Sequence, residues 1–243
     1  MDKYFDLTKS PSSSQEEGLR AYMLKIYNYM SAGLVLTGLM AWFSAHSPTF
    51  LNAMYQTEGS QIVGMKPLAW VIMIAPVALA MLLSFGINRM SLRTAQASFW
   101  GYAAIMGLSL SSIFLTYTST SIATVFFITA ATFGGMSVYG YITKRDLTAF
   151  RSFLMMGLFG VIIASVVNIF LQSPALLFTL SVMGVLVFTG LTAYDTQKLK
   201  NIYLQASVDR NWIEKITIIG ALNLYLDFIN LFMSLLNLTD RRR

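Results

Sequence analysis

Cysteine is absent from all 243 residues, which excludes disulfides, thiol nucleophiles and zinc–thiolate sites. Histidine is nearly absent too. The single His46 stands at the outer end of the first apolar run, and the segment GLSLS lacks a G-x-S-G turn, so a serine–histidine hydrolase site has no basis. Proline occurs five times, and of these only Pro76 interrupts an apolar run. Paired broken helices and an internal repeat, the marks of many secondary transporters, are therefore missing. Charge is scarce as well. Charged residues make up 12% of the chain, where a soluble domain carries about 25%, and only eleven are acidic.

What fills the chain instead is apolar. Hydrophobic residues account for 56% and the mean hydropathy is +0.60. Six runs stand out: Ile26–Ser44, Pro67–Asn88, Ser98–Tyr117, Ser121–Ile142, Phe153–Leu171 and Pro174–Tyr194. A seventh, Ile216–Leu238, holds an aspartate, Asp227. Each approaches the ~20 residues that cross ~30 Å of hydrocarbon as a helix. The composition predicts an all-α, polytopic membrane protein, a seven-transmembrane helical bundle. Residues 1–25 read as a mobile polar tail, 26–238 as one membrane domain and 239–243 as a short basic tail. The leading region is too long and too acidic, and the first apolar run too long, for a cleavable signal peptide.

Lysine and arginine set the expected orientation. With the N-terminus inside, all but four of the 17 fall on inside segments; the exceptions are Lys66 and the terminal Arg241, Arg242 and Arg243. An N-terminus in the cytoplasm follows. The C-terminus is outside after seven full crossings, or inside if the last segment is re-entrant. The sequence pI of about 9.5 reflects these scattered loop cations, so no nucleic-acid partner is expected.

Asp227 is the costly residue. A charge at mid-bilayer costs at least roughly 2.5–3.5 kcal/mol. On the same helical face lie Asn223, Asn230, Ser234 and Asn237, at alternating steps of four and three among Leu, Ile, Phe, Met and Tyr. Lipid does not tolerate such a stripe, so it faces other helices or a water-filled cavity. Amides on that face also serve as interhelical glue, worth about 0.6 kcal/mol each. The carboxylate needs a partner. Asp195, where FTGLTAYDTQKLK turns from apolar to basic, is the other acid attached to a span, and Arg89 ends the second run on the same side.

The segments TGLTAYDTQKLK and ALNLYLDFINLF, with GLSLSSIF at 107–114 and MSVYGYITKRDL at 136–147, resemble the bacterial branch of the Bax inhibitor-1 family, from about Arg20 to Leu238. The resemblance implies seven spans with the last one central, and a pH-sensitive calcium leak through the bundle. It implies a sensor made of Asp195 and Asp227, which would also give passing calcium a weak, transient site, with Arg89 (or Arg93) as an arginine latch. Two carboxylates in a low-dielectric site share a proton and titrate as a pair. Calcium favours carboxylate and amide oxygens but takes 6–8 of them, so two acids and a few amides suit a leak rather than a store.

The expected partners are calcium as permeant ion, protons and the bilayer of the bacterial inner membrane. No cofactor and no catalytic role are expected, and the protein is expected to be a monomer. The alternative is a non-conducting regulator that binds a membrane-bound ATP-dependent protease, with the polar tail as its handle. An intramembrane aspartyl protease is more remote, because LYLD stands where such enzymes carry G-x-G-D.

Overall fold

Hydrocarbon offers no water to a peptide group, so a chain this apolar folds into helices that satisfy their own backbones. The computed structural model describes residues 13–58, 61–205 and 210–239. In chain order these form α1 (Ser13–Ala45), α2 (Pro48–Met54), a hairpin of β1 (Tyr55–Glu58) and β2 (Gln61–Met65), α3 (Pro67–Gly86) and α4 (Leu92–Leu110). There follow α5 (Ser112–Thr116), α6 (Ser119–Ile142), α7 (Arg151–Leu171), α8 (Pro174–Gln205) and α9 (Arg210–Thr239). The protein is an all-α, multi-pass membrane protein.

Among the described residues six helices are long and apolar enough to cross a membrane. They comprise α3, α4 with α5, α6, α7 with the turn before it, α8 and α9. The first apolar run lies within α1, whose 33 residues exceed the needed length but carry too many polar groups to qualify by composition. The tail expected at 1–25 is also shorter. Residues 13–25 belong to α1, with Leu19, Tyr22 and Met23 buried, because a helix that leaves the bilayer keeps its packing face while its other faces turn polar. Residues 1–12 and Arg241–Arg243 lie outside the described residues.

The last helix occupies the middle. Two-thirds of the apolar stretch of α9 (67%) is buried, against 6–39% for the other five crossing helices. It packs on α8, α1, α6 and α4. Tyr225 fixes it there: its hydroxyl lies 2.6 Å from that of Thr37 on α1, which donates to the Ala103 carbonyl of α4 at 2.8 Å. Phe99 and Tyr102 meet the Tyr225 ring edge to face. One turn on, Phe228 packs against Phe126 and Phe133 of α6. By contrast α3 and α7 are peripheral, and residues such as Phe85 and Phe170 point outward, as lipid-facing positions require.

Glycines let the inner helices touch. A Cβ on Gly140 of α6 would strike the backbone of Ala193 on α8, and one on Gly107 of α4 would strike the Thr37 carbonyl on α1. Gly140→Ala and Gly107→Ala should each cost about 1–3 kcal/mol by overpacking. Gly101, with open space around it, should tolerate alanine or gain slightly. Thermal unfolding of the three variants in detergent checks this ordering.

Candidate functional site

The α8–α9 hairpin builds the site. Leu199 of α8 lies against Gly220 of α9, and Gly184 lies against Ser234, so the two helices run antiparallel in a fixed register. In that register Asp195 is level with Asn223, and Asp227 sits one turn deeper, about 5 Å along the axis. The sequence suggests a wider gap because it hides how far both helices extend past the apolar runs, to Gln205 and back from Arg210.

Asp227 is 5% exposed, and its Oδ2 is buried without a hydrogen-bond partner. It feels the charges of Asp195 and Lys198. The Asp195 side chain retains 15% exposure, and its Oδ1 lies 3.7 Å from Lys198 Nζ, one helical turn on. Arg151, at the start of α7, also acts on Asp195 electrostatically. The structure thus brings both sequence-predicted carboxylates together, one sealed inside and one at the edge of a cationic surface.

Arg89 is not part of this group. It is exposed on the turn that follows α3, and among the described residues the ion pairs are Lys25–Glu214 and Asp195–Lys198. The reason is topological: α3 packs chiefly on α4, while α8 packs on α9, α6, α7 and α1. The cations at Asp195 are Lys198 and Arg151. The i,i+3 spacing of Lys198 is visible in the sequence; nothing local marks Arg151.

Gln197 explains how Arg151 arrives. Its side-chain oxygen accepts from the Leu147 amide and its amide nitrogen donates to the Arg145 carbonyl, both at 2.8 Å. That clamp holds the α6–α7 loop on α8. Within the loop Asp146 accepts from the Thr148 amide at 2.9 Å, and its contacts with the Thr148 side chain and amide hold its carboxyl below the ordinary range.

Asn223, Asn230, Ser234 and Asn237 are all half-buried, less enclosed than Asp227. Asn230 donates to Leu226 O and Ser234 to Asn230 O, each within its own helix. Asn237 Oδ1 accepts from the Tyr117 hydroxyl at 2.8 Å. Among the described residues no three acids or histidines converge as a metal cage would demand. As oxygen ligands the group offers two carboxylates and a short line of amide and hydroxyl oxygens.

Residues 19–243 match the family model described as inhibitor of apoptosis-promoting Bax1. The chain is a member of the Bax inhibitor-1 family. Its relatives include a protein of Caulobacter vibrioides, 46% identical over 92% of this chain and 90% of that one. A protein of Rickettsia prowazekii is 47% identical over 97% and 96%. The inner membrane protein YbhL of Escherichia coli is 45% identical over 93% and 94%. For a member of this family the matched region takes in the whole of α8 and α9, and so both carboxylates.

Proposed function

We propose that the protein is a pH-sensitive calcium leak of the bacterial inner membrane, gated by the shared proton of Asp195 and Asp227. The observation that carries the reading is the bare Oδ2 of Asp227, buried beside a second carboxylate on the neighbouring helix. A buried oxygen without a donor costs about 1–3 kcal/mol, more if charged, and a proton or a passing cation supplies what it lacks. Two like charges at this distance in a poor dielectric do not coexist cheaply, so the pair holds one proton between its members. Losing that proton adds a charge at the bundle centre, which is a reason for α9 to move. In this reading α1 is the first of seven crossings and the N-terminus faces the cytoplasm, with Lys198 and Arg151 on that side. The similarity to the inner membrane protein YbhL supports the choice of membrane.

The cationic edge tunes the pair. Arg151→Gln or Lys198→Met should shift the pH at which leak changes by a fraction of a unit, given about 0.2–1 kcal/mol for a half-exposed pair and 1.36 kcal/mol per unit. Arg89→Ala should leave it in place. A shift with Arg89→Ala alone would restore the latch to that arginine. The reading as a whole is tested by calcium entry into liposomes holding the pure protein, across pH. Entry that varies with pH supports it, and tight liposomes at every pH end it.

A further inference from the structure

A cleft of about 470 Å³ opens between α1 and α6, lined by neither carboxylate of the pair. Because the two helices run antiparallel along it, its lining is ordered from one end to the other. Arg20 and Tyr141 stand at one end, and Met30 and Phe133 at the other. From Arg20 to Met30 is about 15 Å of helix. Between the ends the walls are almost wholly apolar, with Met23, Leu24 and Val138, and the space in front of Gly134 is empty out to 4 Å from where a Cβ would stand. The charged end is reinforced: Lys200 donates to the Tyr141 carbonyl at 2.7 Å and sits 5.3 Å from the centre of its ring.

We propose that this cleft is a binding site for one anionic phospholipid, its acyl chain lying along α1 and α6 and its phosphate beside Arg20 and Lys200. The argument is one of shape and charge together. The cleft is long and largely apolar, with Arg20 lining one end and Lys200 held beside Tyr141 at that same end, which matches an amphiphile with one charged end. The cations also lie on the Lys- and Arg-rich side of the bundle, where an anionic headgroup is worth about 1 kcal/mol per basic residue.

Native mass spectrometry of the full chain tests this, with phosphatidylglycerol and phosphatidylcholine of identical chains added in competition. One phosphatidylglycerol should be retained over phosphatidylcholine by roughly fivefold for each cation, the factor that ~1 kcal/mol gives. Arg20→Gln should reduce that preference about fivefold. Gly134→Leu or Val138→Trp, which fill the cleft, should abolish retention of both lipids. Gly160→Leu, at an equally open position on α7, should change nothing. Equal retention of the two lipids, or undiminished retention in both folded cleft-filling variants, overturns the proposal.

Discussion

Asp227→Asn should lower calcium passage through the reconstituted protein by about tenfold or more and flatten its dependence on pH. Asparagine matches aspartate in size and offers a carbonyl oxygen, so packing is kept. What disappears is one negative charge and the ability to bind a proton. A tenfold loss needs only about 1.4 kcal/mol, less than the several kcal/mol at stake in solvating a buried ion. The same substitution separates function from structure. A carboxylate kept to hold the bundle together would cost about 3–5 kcal/mol when removed from a buried pair. Asp227 makes no hydrogen bond from Oδ2 and crowds a second carboxyl against Asp195, so its loss should leave thermal stability unchanged or raised. A protein that conducts normally but unfolds earlier would make Asp227 a packing residue.

Asp195→Asn should flatten the pH response as well, although Asp195 is the shallower member and partly meets water. A lone carboxylate has no partner with which to share a proton, and Asp227 would then titrate without the charge it now feels. The double variant should pass calcium no worse than Asp227→Asn alone. Residues that act as one unit are not additive, with coupling of about 0.5–3 kcal/mol, whereas sites without shared partners add to within about 0.5. Flux measured for the wild type, both single variants and the double, in one lipid mixture, gives the coupling directly.

The six later apolar runs were legible because each is long enough to cross a bilayer as a helix. Asp195 and Asp227 were legible because an acid in an apolar run is expensive. The extent of α1 was not, since a helix that projects into water looks polar residue by residue, and only the buried Leu19, Tyr22 and Met23 reveal it. Nor were the cations beside Asp195 all legible. Arg89 closes one apolar run and Arg151 opens another, both on the basic side, and which of them comes near Asp195 depends on which helix lies next to α8. The Gln197 clamp that delivers Arg151 joins positions 50 residues apart, with no local pattern to announce it.

Infrared titration of the carboxyl band tests the shared proton most directly. The wild type should show a protonated carboxyl at neutral pH that titrates in a step belonging to both residues. Each single substitution should move or remove that step, and the double should abolish it. Two carboxyl signals that titrate independently, each untouched by substitution of the other, would contradict the account.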